Sequence, residues 1–249
     1  MRKPKRVLIL SGTGEGLKLA ARASKLEGLQ PIASLAGRTR QSVNCSIPTR
    51  IGGFGGVSGL REYLREQQID LLIDATHPFA AQMSWNAAIA AGQENIPHVM
   101  LLRPAWEQTV GDRWVEVQNH EAAAGVLPGL APRLFLTIGR QELASYAHLS
   151  HLWFLMRIVT PPPGDMRLPP GIVLAQRGPF SLAEERSLLR RYDIGAIVTK
   201  NSGGDATYPK IMAAREFGLP VVMIQRPSLP QTERIGDIDS ALCWLRGYL

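Results

Sequence analysis

Cysteine is scarce: Cys45 and Cys243 are the only two in 249 residues, and they lack the paired spacing of a metal or redox site. A disulfide framework is thereby excluded, and the usage suits a reducing compartment, so cytoplasmic localisation is expected. Long apolar runs are missing as well. After the basic start MRKPKR, the apolar stretch Val7 to Leu10 is too short for a signal segment and far too short to span a bilayer. No membrane partner is expected. The sequence has no long lysine-rich run, no helix with a basic stripe and no basic–aromatic alternation, the features by which nucleic acid is gripped. Clusters of His, Cys and carboxylate at metal-ligand spacing are also absent, and no Ser-His-Asp arrangement is legible. Metal and covalent mechanisms are therefore disfavoured.

What is present is positive charge in particular places. The balance of 28 Lys+Arg against 21 Asp+Glu leaves +7. Arg38, Arg40, Arg103, Arg140, Arg177, Lys200 and Arg226 each stand just after an apolar run of strand length. In an open α/β sheet these positions border the crevice outside the carboxyl ends of the strands, where ligands bind. A small molecule carrying many negative charges fits that placement better than a nucleic-acid backbone.

Apolar runs alternate with helical patterns along the chain, which predicts an α/β protein with mostly parallel sheets. Strands are expected near 6–10, 31–35, 46–51, 70–74 and 97–102, with helices near 15–27, 57–67 and 79–91. The stripe Val57, Leu60, Tyr63 and Leu64 marks the second helix's core face. Around 103–119 the rhythm breaks. A second series then follows, with strands near 134–138, 154–159, 172–176, 196–199 and 221–224 and helices near 182–191, 208–217 and 238–246. Ser181 and Glu184 form a capping box, and Gly218 suits a helix stop. Two Rossmann-like domains with a cleft between them are the simplest account: 1–105 binding a nucleotide cofactor and 106–249 binding substrate. The segment TPPPGDMRLPPG, 160–171, reads as extended and polyproline-like, either a surface excursion or a lid.

Three segments carry chemistry. LILSGTGEGLKLA, 8–20, is strand, glycine turn and helix, a place where main-chain N–H groups and the helix dipole hold an anion. Its glycines are Gly12, Gly14 and Gly16, with Leu17 where a dinucleotide fingerprint has its third glycine, and no Gly-Lys-Ser/Thr makes it a P-loop. Thr13 and Glu15 share the turn. After the second strand, SLAGRTR offers Arg38, Thr39 and Arg40 and no acid to accept from a ribose 2′-hydroxyl, which favours NADPH over NADH.

The second segment is IDATHPFA, 73–80. In a sheet ordered 3-2-1-4-5, Thr76 and His77 face the glycine turn. Pro78 is expected at the first helical position and His77 at the N-cap, with its pKa lowered by the helix end. His77 is then either a cofactor or substrate contact or a cap alone. The third segment, VTKNSGGDATYPKIMAAREFGLPVVMI, 198–224, places Lys200, Asn201, Ser202, Gly203 and Gly204 in a loop before a helix that opens with Pro209. Lys210 in the first turn opposes the helix dipole and makes most sense beside a bound anion.

Together, ILSGTGEG, DATHPFA and TKNSGG with its following K.MAAREFGLPVVMI resemble the precorrin-6A reductase family of cobalamin biosynthesis over nearly the whole chain. The resemblance implies NADPH-dependent reduction of a ring-D double bond of precorrin-6A to give precorrin-6B. The substrate would be a polycarboxylate tetrapyrrole, which supplies a reason for the basic sheet edge, and the product would pass to the next pathway enzyme. Two alternatives stay open: a cobalt-precorrin-6A reductase using NADH or NADPH, and a non-catalytic NADP-binding sensor. On this reading Gly12, Thr13, Gly14, Glu15, Gly16, Arg38, Thr39, Thr76 and His77 hold the cofactor. Arg140, Gln176, Arg177, Lys200, Asn201, Ser202, Gly203, Gly204 and Lys210 hold the substrate. Lys200 and His77 are candidates for catalysis, Tyr208 and water are able to supply the proton, and no metal is expected.

Overall fold

The computed structural model describes residues 3–36 and 47–249; Arg38, Thr39, Arg40 and Cys45 lie outside them. The chain runs β1 (Lys5–Ser11), α1 (Gly14–Ala23), β2 (Leu29–Leu35), β3 (Thr49–Ile51), α2 (Gly56–Glu66), β4 (Leu71–Ala75), α3 (Ala81–Glu94) and β5 (His98–Leu101). It continues with β6 (Arg113–Val117), α4 (His120–Val126), β7 (Arg133–Thr137), a 3-10 segment Arg140–Tyr146, β8 (Trp153–Ile158), β9 (Gly171–Ala175) and α5 (Leu182–Arg191). The remainder is β10 (Ala196–Lys200), α6 (Pro209–Glu216), β11 (Pro220–Ile224), β12 (Glu233–Ile235) and α7 (Ile238–Arg246). No helix among the described residues is long and apolar enough to cross a membrane.

Two compact units result, Met1–Pro104 with Pro227–Leu249, and Ala105–Arg226. Each contains one six-stranded sheet, and every strand pair in both is parallel. From β3 the first sheet reads β3-β2-β1-β4-β5-β12; from β9 the second reads β9-β8-β7-β10-β11-β6. Both are the same doubly wound order, and in both the sixth strand is out of sequence. β6 follows β5 along the chain yet completes the second sheet, whereas β12 follows β11 and completes the first.

The expected second domain, 106–249, is thus corrected at its end. Glu233, Arg234 and Ile235 pair with Val99, Met100 and Leu101, and Ala241, Leu242 and Leu245 are buried in one cluster with Val7, Ile9, Leu19 and Ala20. Burial of that apolar face, at roughly 25 cal/mol per Å², holds α7 on the first unit. On the sheet's other face Leu60 and Leu64 of α2 pack with Leu8, Leu10 and Leu72, and Val57 and Tyr63 lie against them, as the stripe predicts. All five residues of β4 are buried, so its sequence is an unbroken apolar run apart from Asp74. The second unit's core joins Phe135, Leu155, Ile197 and Val221 to Leu189 of α5 and Ile211 of α6.

Sequence reading missed β6, α4 and β12. β6 (RWVEV) is an edge strand with one buried residue, so it carries no apolar run. α4 has seven residues, too few to display a helical stripe. The capping box is present: the Ser181 hydroxyl accepts from Glu184 N at 3.2 Å, and the Glu184 carboxylate accepts from Ser181 N at 2.7 Å.

Candidate active site

In the first unit the glycine turn lies at the carboxyl end of β1, where the strand order reverses between β1 and β4. Thr13 N-caps α1: its hydroxyl oxygen accepts from Gly16 N at 3.2 Å and donates to Ala75 O at 3.3 Å. Gly12 N also donates to Ala75 O, at 3.3 Å, so the turn is stitched to the end of β4. The three glycines serve different ends. A Cβ on Gly12 would lie 3.1 Å from His77 N and 3.2 Å from Thr76 Cα, so this glycine permits close backbone approach. At Gly16 a Cβ would lie 2.9 Å from Ser11 Oγ and 3.1 Å from Ala75 Cβ, so this one seats α1 on the sheet. A Cβ on Gly14 would meet nothing within 4 Å, so the start of α1 is open at this residue. Glu15 accepts from Arg103 at 2.6 Å, which gives that sheet-edge arginine a partner.

Thr76 and His77 do meet the turn, through the backbone contacts of Gly12. The expected helix start is corrected, however. α3 begins at Ala81 with Ala80 as its N-cap, so Pro78 is not its first residue and His77 is not its cap. His77 closes a tight turn instead: its Nδ1 accepts from Phe79 N at 3.2 Å and its carbonyl accepts from Ala80 N at 2.7 Å. The neutral ring then carries its proton on Nε2. Sequence reasoning passed over Asp74. This buried carboxylate fixes Thr76, accepting from its N at 2.9 Å and its hydroxyl at 2.6 Å with Oδ1, while Oδ2 is buried with no hydrogen-bond partner among the described residues.

The second unit's loop 200–204 follows β10 in the corresponding position. Lys200 Nζ stands 3.6 Å from Glu142 Oε1. Gly203 and Gly204 take φ of 68° and 77°, which glycine adopts without strain. Asn201 is buried and its side chain faces inward: Nδ2 donates to Trp106 O at 3.0 Å and Oδ1 accepts from Trp106 N at 2.8 Å. Arg226, another expected sheet-edge cation, donates to the carbonyls of Asn201 at 2.9 Å and Ser202 at 3.1 Å.

Lys210 is only 4% exposed. Its ammonium donates to Thr207 O at 3.1 Å and lies 4.8 Å from the centre of the Trp106 ring, which itself donates from Nε1 to Gly204 O at 3.0 Å. A carbonyl and an aromatic face thus stabilise this cation, a task the sequence assigned to a bound anion. Arg140 starts the 3-10 segment after β7 and donates to Pro161 O at 3.3 Å. Gln176 and Arg177 line a groove of about 660 Å³ with Arg157, Phe180 and Arg191. Among the described residues no group of three or more His, Cys, Asp and Glu could hold a metal ion.

Residues 6–246 match the family described as precorrin-6x reductase CbiJ/CobK. The precorrin-6A reductase of Rhodococcus erythropolis is 47% identical over 242 residues, which cover 96% of this chain and 97% of the relative. That of Rhodobacter capsulatus is 41% identical, covering 98% and 96%. The cobalt-precorrin-6A reductase of Methanothermobacter thermautotrophicus is 28% identical, covering 90% and 77%. A solved structure of a CobK precorrin-6A reductase aligns with a TM-score of 0.90 at 40% identity, over 98% of this chain and 97% of that one. The family model and the solved structure both match the chain over nearly its whole length, and the chain belongs to the precorrin-6x reductase CbiJ/CobK family.

Proposed function

We propose that this protein reduces a ring-D double bond of precorrin-6A with NADPH, giving precorrin-6B in cobalamin biosynthesis. The family implies a nicotinamide cofactor, and the observation that carries its placement is the open space beside Gly14 at the start of α1. Thr13, Gly14 and Glu15 would hold the pyrophosphate on main-chain N–H groups, with Gly12, Thr76 and His77 bordering the same turn. Arg38 and Thr39, in a segment with no acid, favour the 2′-phosphate of NADPH. When bound, NADPH supplies a hydride to one carbon of the double bond while a proton joins its neighbour.

The macrocycle's carboxylates belong on the second unit's sheet edge, at Lys200, Ser202, Gly203, Gly204, Arg140, Gln176 and Arg177. The metal-free substrate is favoured by the relatives: identities of 41 to 47% fall to precorrin-6A reductases and 28% to a cobalt-precorrin enzyme. The test is the absorbance of precorrin-6A, with and without cobalt, incubated with the protein and either NADPH or NADH. A change for the metal-free substrate with NADPH is expected. A change confined to the cobalt form or to NADH would overturn the assignment.

A further inference from the structure

At the carboxyl edge of the second sheet, three elements bring together polar side chains of which the sequence reading used Lys200 alone. His120 opens α4 after β6, Glu142 and Tyr146 sit on the 3-10 segment after β7, and Lys200 ends β10. His120 Nδ1 lies 3.0 Å from the Tyr146 hydroxyl, with the two rings edge to face. Tyr146 is fully buried, so its hydroxyl hydrogen needs an acceptor, and Nδ1 is the one the geometry offers. That assigns the neutral imidazole its proton on Nε2, the nitrogen that no hydrogen bond among the described residues engages.

Glu142 ties Lys200 to this pair: the lysine Nζ stands 3.6 Å from Glu142 Oε1, on the same 3-10 segment that carries Tyr146. Burial lowers the His120 pKa; Glu142 and Glu121 pull it back up and Lys200 pushes it down. Gly139 leaves room for the group: a Cβ there would lie 2.6 Å from Glu142 Oε2 and 3.5 Å from Lys200 Nζ.

We propose that His120 is a substrate-binding residue, its Nε2–H and the Lys200 ammonium forming a two-donor seat for a carboxylate of the substrate, with Tyr146 fixing the imidazole orientation and Glu142 positioning the lysine. This rests on the reading that the second unit's edge receives the macrocycle. A planar carboxylate accepts from two donors at once, and a seat built from one fixed charge and one neutral donor receives an anion without adding a second cation.

The test measures steady-state reduction of precorrin-6A and, without cofactor, direct binding of precorrin-6A by absorbance titration. The chains compared are wild type, His120→Ala, His120→Gln, Tyr146→Phe and Lys200→Ala, each with its melting temperature and NADPH Kd. His120→Ala is expected to raise KM and the precorrin-6A Kd roughly tenfold while kcat and NADPH Kd stay within about twofold. His120→Gln, which keeps an N–H, should recover part of the loss, and Tyr146→Phe should show an intermediate rise because the ring is no longer held. If both His120 variants keep wild-type KM and Kd while Lys200→Ala weakens binding, the seat proposal falls and the edge reading stands. Should Lys200→Ala also leave binding unchanged, both fall. A His120→Ala effect confined to melting temperature likewise overturns the proposal.

Discussion

Asn201 brackets the backbone of Trp106, accepting from its N–H at 2.8 Å and donating to its carbonyl at 3.0 Å. The side chain therefore acts on the first residues of the second unit, 105–226, and not outward on a ligand. Asn201→Ala would strand two buried main-chain groups, each at about 1–3 kcal/mol. A lower urea midpoint is expected, with any substrate loss following from it. Full stability with lost precorrin-6A affinity would make Asn201 a direct contact after all.

The glycines of the first turn separate by role. Gly14→Val should abolish NADPH binding and keep a cooperative melt, because its side chain enters open space. Gly16→Ala presses on Ser11 and Ala75 and should cost about 1–3 kcal/mol of stability. Normal NADPH titration by Gly14→Val would move the phosphate site elsewhere.

Arg38→Ala should weaken NADPH by roughly 1.5–3 kcal/mol, the range for a hydrogen bond to a charged group, and NADH far less. Calorimetric titration of both cofactors decides it, and equal losses would refute a contact to the 2′-phosphate.

Arg157 and Glu185 form a buried pair, at 2.6 and 3.1 Å, with the guanidinium 3.9 Å from the Phe180 ring centre. Glu185→Gln leaves the arginine's charge uncompensated and should cost about 3–5 kcal/mol, whereas replacing both with apolar residues of similar size should cost much less. Chemical denaturation of the single and double variants distinguishes these outcomes.

Burial lowers the His98 pKa, against an upward pull from Asp74, and its Nε2 is buried with no hydrogen-bond partner among the described residues. The unfolded chain therefore binds a proton near pH 6.5 that the folded protein refuses until lower pH. This residue's contribution to stability is complete above that pH and is lost as pH falls toward the depressed folded value. His98→Gln should flatten the acid limb of a stability profile below about pH 6.5, and an unchanged slope would assign that limb to other groups.

The doubly wound plan was readable because β1, β4, β7 and β10 are buried apolar runs bounded by turns. The glycine turn was readable from its glycines, since a Cβ at Gly12 would press on the backbone of Thr76 and His77. What stayed hidden was long-range. Nothing local marks β12 for β5; the α7 residues that follow it are buried in one cluster with β1 and α1 residues more than 200 positions earlier. Lys210 and Asn201 show the same limit: their partner is Trp106, about 100 positions away, in the stretch where the strand–helix rhythm breaks.

The exchanged sixth strands also order events on the ribosome. When β1 to β5 have emerged, the first sheet still has an open β5 edge and an uncovered face where Ala241, Leu242 and Leu245 will pack. The second sheet, by contrast, has all six strands, β6 to β11, in one continuous stretch of nascent chain. The usual sequence, in which the earlier domain is finished first, is reversed. The nucleotide-type turn is made early and its sheet is closed last, so a pause or truncation before β12 would release a chain with a complete second unit and an unfinished first one.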